Sequence, residues 1–133
     1  AALQTLRGYS AMGSYCKSKL ANLLFTLELA ERLQGSGVTV NAVHPGVVAT
    51  EFAGADDVPG LFGYLVKASH LFSISPEKGA RTSVHVASSP AIEGVTGKYF
   101  VRSKQVRPSR AALDKQAALR LWEVSEQLTG VRL

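Results

Sequence analysis

Two residues near the start of the chain have the types and spacing for proton chemistry: Tyr15 and Lys19. On an α-helix a four-residue step puts both side chains on one face. A tyrosine free in water has a pKa of about 10 and is a poor base at neutral pH. An adjacent ammonium and the positive end of a helix both favour the phenolate. A tyrosine placed in this way can give a proton to, or take one from, a carbonyl or alcohol oxygen. Taken alone, Tyr-x-x-x-Lys is also what an ordinary amphipathic helix carries.

Other reactive residue types are present, and their settings favour quieter roles. Cys16 and His44 have the types of a thiol nucleophile and its base. Cys16, however, points about 100° around the helix from Tyr15, which favours a buried packing role. His44, His70 and His85 are too scattered for a metal-ligand set, and no metal is expected. Asp56 and Asp57 read as a solvated loop turn, and Trp122 as a core residue. Seven of the 15 Lys and Arg residues lie between Lys98 and Arg120. Few aromatics accompany them, whereas a single-stranded nucleic-acid groove interleaves the two. A solvated face is the expectation there, with an anionic-surface segment as the weaker rival.

The elements that must carry Tyr15 and Lys19 follow from pattern. Residues 3–13 read as irregular, punctuated by Gly8, Ser10 and Gly13, and Ser14 is the expected N-cap of a helix over 15–33. Cys16, Leu20, Leu23, Leu24, Leu27 and Ala30 form one apolar stripe of that helix, and Phe25, Leu29 and Leu33 a second. So wide a surface predicts burial against both a sheet and another helix. Glu28 and Arg32 form an i,i+4 pair on what remains. Gly35 and Gly37 end the helix, and a β-branched run over 38–43 reads as a strand running into His44-Pro45-Gly46. Residues 47–75 read as a mobile, partly helical insertion with a short helix near 61–72. Ser75-Pro76-Glu77 opens a helix to about 88, with Ala80, Val84 and Ala87 on one face. A second strand is expected over 97–102. A last helix follows over 110–128, capped by Ser109 and ended by Gly130.

The chain has 133 residues, 46% of them hydrophobic, with a net charge of +5. That fits one globular domain with a real core and excludes disorder by composition. No apolar run approaches the ~18 residues of a membrane span. One cysteine excludes an internal disulfide framework and suits a reducing compartment, so the cytoplasm is the expected location. A helix, a glycine turn and then a strand make an αβ unit of a parallel sheet. Two strands are too few for a whole open sheet, which usually has about five or six, so these elements read as the end of one.

With the surroundings added, the Tyr-x-x-x-Lys spacing becomes specific. Tyr15-Cys-Lys-Ser-Lys-Leu-Ala-Asn22 is followed, one helix and one strand later, by Asn41-Ala-Val-His-Pro45-Gly46-Val-Val-Ala-Thr50. Together with Ser75-Pro-Glu-Lys-Gly-Ala, Gly97-Lys-Tyr-Phe and Leu121-Trp-Glu-Val-Ser-Glu, this resembles the short-chain dehydrogenase/reductase family, in its retinol-dehydrogenase-like branch. The resemblance spans nearly the whole chain. It implies the C-terminal half of a single Rossmann-like α/β domain, a doubly wound parallel sheet with flanking helices. It also implies NADP or NAD as cofactor, and hydride transfer between nicotinamide and an alcohol or carbonyl carbon. Tyr15 would be the general acid/base on the substrate oxygen and would lie against the cofactor. Lys19 would bind the nicotinamide-ribose hydroxyls and stabilise the Tyr15 phenolate. Pro45 and Gly46 would shape the backbone beside the nicotinamide. Val48 would offer backbone groups to the carboxamide, Thr50 would hydrogen-bond nearby, and 47–75 would be the substrate lid. An apolar lid favours a hydrophobic retinol- or aldehyde-like substrate.

The family's glycine-rich strand–turn–helix, which seats the pyrophosphate, has no counterpart here. Neither does its catalytic serine, a dozen or more residues ahead of the tyrosine. Residues 1–8 hold no Ser, and Ser10, Ser14 and Ser18 are too close to Tyr15. The alternative reading is therefore a non-catalytic piece or association module. In either reading the 15–33 helix is the expected face for a homo-oligomer.

Overall fold

The computed structural model describes residues 9–46, 48 and 74–132. In chain order the elements are helix α1 (Ala11–Arg32), strand β1 (Asn41–His44), helix α2 (Pro76–Ser88), a 3-10 turn at Pro90–Ile92, strands β2 (Lys98–Val101) and β3 (Lys104–Val106), a 3-10 turn at Arg110–Leu113 and helix α3 (Lys115–Thr129). The strands form one sheet in the order β1-β2-β3, with β1 and β2 parallel. This is a mixed α/β arrangement, as the alternation of helices and β-branched runs predicts. Packing divides the chain into two compact units. One takes in Ala1–Ala42, Gly94–Tyr99 and Val106–Leu133, the other Val43–Glu93 and Phe100–Gln105.

In the first unit, α1 begins four residues earlier than expected. Ser10, in an extended conformation, is the N-cap, and its hydroxyl accepts from the Gly13 N–H at 3.3 Å. Ser14 lies inside the helix. Ala11 and Met12 are good helix formers, and a glycine in the first turn does not stop nucleation from a serine cap. Gly35 and Gly37 (φ +81° and +79°) turn the chain out of the helix, as expected. The C-terminal helix is divided. Ser109 caps only the 3-10 turn, accepting from the Ala112 N–H. Asp114 then caps α3 through the Ala117 N–H at 3.0 Å, and Gly130 closes it in the left-handed conformation.

The helices α1 and α3 pack on each other around Leu24, Ala118 and Trp122, all buried. Phe25 stacks on Trp122 (centroids 5.5 Å, planes 10° apart), and the Arg32 guanidinium lies 4.4 Å from the Trp122 ring centroid. The expected Glu28–Arg32 pair is present at 2.7 Å, but not on an exposed face. Glu28 is only 6% exposed, because α3 covers that side of α1. Leu128, near the end of the last helix, is largely exposed.

The strand expected over 38–43 is ordered only from Asn41. Just before it the Gly97 N–H donates to the Val40 carbonyl at 2.7 Å, and side chains add to this backbone bond. Thr96 Oγ1 accepts from the Val40 N–H at 3.0 Å, and Asn41 donates to the Val95 carbonyl while accepting from the Lys98 N–H. Strand β3 was not expected, since Lys104-Gln105-Val106 shows no apolar alternation. Its cause is the two-residue turn Arg102-Ser103, with φ +50° and +59°. Two positive φ values in succession match the twist of a hairpin and fold β3 back on β2.

In the second unit, Ser75 caps α2 through the Lys78 N–H, with Pro76 at the first helical position, as expected. The face turned inward is not the expected one. Ala80, Val84 and Ala87 are exposed, Val84 by 60%, whereas Gly79 and Thr82 are buried. The Thr82 hydroxyl accepts from the Ser103 N–H at 3.1 Å, and His85 meets Phe100 edge-on at 6.4 Å. Val48 and Ile74 form an isolated parallel bridge.

Candidate active site

Tyr15 is the fifth residue of α1 and is 54% exposed. Lys19, one turn on, places its ammonium 5.3 Å from the Tyr15 ring centroid. The pair therefore shares one solvent-facing side of the helix, as its spacing predicts. The earlier helix start puts Tyr15 in the second turn. The positive end of a helix acts mainly within its first turn, so the Lys19 ammonium is the nearer positive charge. Ser18 turns its hydroxyl back to the Tyr15 carbonyl at 2.8 Å. Cys16, expected to be packed, is exposed, because α1 turns that side of its second turn to solvent.

The remaining predicted site residues belong to the second unit. Pro45 follows β1 and is exposed. Gly46 has φ +90°, a conformation that side-chain-bearing residues rarely adopt. A Cβ built on it would lie 3.3 Å from Ile74 Cδ1. Val48 pairs with Ile74 and sets its side chain against the backbone of α2 at Gly79. Thr50, the expected 61–72 helix, Asp56-Asp57 and the lid apart from Val48, Ile74 and Ser75 lie outside the described residues.

A phenol and an ammonium on one open helix face suit a reacting oxygen and a ribose diol. A glycine at positive φ after a proline leaves backbone, not side chain, to face a flat ring. Gly79 and Ile74 were not singled out from sequence. The available signal was a glycine inside a helix, which costs stability unless something approaches closely.

Elsewhere the cations of the basic segment are exposed. Lys115 binds Glu31 at 2.6 Å, and that carboxylate holds its ammonium above the usual lysine value. A hollow of about 300 Å³ in the first unit is bordered by Glu28, Glu31, Thr96, Asp114 and Lys115 and contains none of the predicted site residues. Among the described residues no helix is long and apolar enough to cross a membrane.

The family model described as short chain dehydrogenase matches residues 1–57. Retinol dehydrogenase 14 of Homo sapiens is 42% identical over 130 residues, covering 97% of this chain and 39% of its own. Retinol dehydrogenase 12 of Homo sapiens is 45% identical over 130 residues, covering 98% and 40%. A solved structure of a putative uncharacterized protein from Mycobacterium paratuberculosis aligns with a TM-score of 0.64 at 32% identity, over 93% of this chain and 41% of that one. The chain thus spans about two fifths of the length of the curated relatives it matches.

Proposed function

The chain belongs to the short-chain dehydrogenase/reductase family of NAD(P)-dependent oxidoreductases, in its retinol-dehydrogenase-like branch, and from that premise we propose that it supplies the acid/base half of such an enzyme. The observation that carries this reading is the exposed Tyr15–Lys19 pair on α1. Tyr15 donates its phenolic proton to a carbonyl oxygen in reduction and accepts one from an alcohol in oxidation. Lys19 holds the ribose hydroxyls, with its ammonium one helical turn from Tyr15. Pro45 and Gly46 present backbone to the nicotinamide, and the Val48 backbone and the Thr50 hydroxyl hold the carboxamide end. The dinucleotide, NADP or NAD, supplies or accepts the hydride.

The substrate class we assign is a hydrophobic alcohol or carbonyl, retinol- or aldehyde-like. Two curated relatives bear the name retinol dehydrogenase, and residues 61–72 are rich in apolar types. We also assign α1 as the face for a homo-oligomer, where Phe25 remains 45% exposed, and the cytoplasm as location, which suits a single exposed thiol.

The test joins this chain to the preceding portion of a retinol dehydrogenase relative. Tyr15→Phe keeps the ring and the helix but removes the proton, and lowers turnover by ~10² to 10⁴ with little change in cofactor KM. Lys19→Met raises cofactor KM. Near-normal turnover in Tyr15→Phe refutes the assignment.

A further inference from the structure

Gly79 is the fourth residue of α2, is buried, and has an ordinary helical φ. A glycine in such a place is unfavourable relative to alanine unless a neighbour needs the space. Here the neighbour is a single side chain. A Cβ on Gly79 would lie 2.6 Å from Val48 Cγ2, 3.2 Å from Cγ1 and 3.5 Å from Cβ. Both methyls of a β-branched residue crowd the site, and χ1 of such a residue has few alternatives. Two of the three substituent positions on the Val48 Cβ face the site, so every χ1 rotamer leaves at least one methyl crowding the added Cβ. Val48 itself is bridged to Ile74, whose Cδ1 lies 3.3 Å from where a Gly46 Cβ would stand. Gly46, Val48, Ile74 and Gly79 thus form one chain of contacts within the second unit.

We infer that Gly79 is a positioning residue, the seat that sets the depth of Val48 and so aims the Gly46–Val48 backbone at the cofactor. The inference rests on the reading of that segment as the nicotinamide side of the site. Val48 acts by backbone on the cofactor and by side chain on α2, so the helix places the loop without touching the dinucleotide.

The test uses Gly79→Ala, Val48→Ala and the double variant of the chain, with two readouts. The first is hydrogen exchange of the peptides containing Val48 and Ile74. Gly79→Ala speeds it at least about tenfold, although alanine is the better helix former. The double variant returns it to within about twofold of Val48→Ala, because the nearest remaining Val48 atom is then Cβ at 3.5 Å, an ordinary contact. The second readout is saturation transfer to the nicotinamide protons of NADPH and NADH, which reports weak binding. It falls relative to the adenine protons in Gly79→Ala and recovers in the double variant. Unchanged exchange in Gly79→Ala, or no recovery in the double variant, overturns the seat. A loosened bridge with unchanged nicotinamide transfer overturns its positioning role. No transfer in any protein, unsubstituted included, counts against the cofactor reading and leaves exchange to judge the seat.

Discussion

At the scale of single residues, the least expected feature is a buried carboxylate. Glu28 reads from sequence as half of an exposed pair, and the pair exists, but α3 covers its Glu28 end while the Arg32 side chain stays 32% exposed. Arg32 then has two roles: its Nε bonds Glu28, and its guanidinium plane lies over the Trp122 ring. Removing it leaves a desolvated acceptor without this partner. Arg32→Ala should cost about 1–3 kcal/mol in a urea melt. The pair Glu28→Leu with Arg32→Leu should recover much of that, since an apolar pair of similar volume often replaces a buried ion pair at little cost. If Arg32→Ala is neutral, the pair is not holding α1 to α3. Trp122 was legible as core from its residue type on the last helix. Cys16 was not legible as exposed. Its stripe position alone could not show that packing covers the C-terminal turns of α1 and leaves the second turn open.

At the scale of elements, the sequence showed helices well where cap and stripe agreed. Helix α2 runs from Pro76 to Ser88 as the Ser-Pro-Glu signal predicts. The face of α2 was misread because periodicity ranks residues by apolarity. The contacts here choose Gly79 and Thr82, one for its lack of volume and the other for its hydroxyl. Strand β3 was invisible because its signal lies in the turn, where Arg102-Ser103 replaces the Asn-Gly that usually marks such a hairpin. The start of α1 is hidden in the sequence because Gly13 looks like a stop, and this gives a sharp discrimination. Ser10→Ala should destabilise by about 1 kcal/mol through loss of the cap, while Ser14→Ala, inside the helix, should cost little by chemical melt. The reverse order would restore Ser14 as cap. Helix α2 carries a further test. The Ser75 hydroxyl and the Glu77 backbone hold the Glu77 carboxyl below its ordinary 4.5. A lowered carboxylate pKa contributes stability above the unfolded value that is lost as pH falls through the folded one. Ser75→Ala should therefore move the Glu77 carboxyl resonance midpoint upward in an NMR titration, and an unmoved midpoint would deny the contact.

At the scale of the whole molecule, the question is how tightly these 133 residues can hold a dinucleotide. Most of the affinity of a dinucleotide site comes from backbone N–H groups of a glycine-rich turn at a helix N-terminus, aimed at the pyrophosphate. No Gly-x-Gly-x-x-Gly between a strand and a helix occurs anywhere in this sequence, where Gly60 and Gly63 are the nearest pair. The residues we propose for the cofactor, Tyr15, Lys19, Pro45, Gly46, Val48 and Thr50, are all assigned to its nicotinamide end. The backbone hydrogen bonds at the carboxamide contribute about 0.5–1.5 kcal/mol net each, and one from the lysine ammonium to the ribose about 1.5–3 kcal/mol. Against them stands the cost of immobilising a long flexible ligand, several kcal/mol before any surplus appears as affinity. The balance predicts a Kd for NADPH and NADH that is millimolar or weaker. The net charge of +5 attracts both phosphates, but that attraction is diffuse and weakens with salt. Titration of the chain by nicotinamide fluorescence at low and at physiological ionic strength separates the two contributions. Weak binding that fades further with salt agrees with a site that recognises only one end of the cofactor. Micromolar, salt-insensitive binding would mean that these residues build a pyrophosphate seat of another kind, and would overturn the division of labour drawn here.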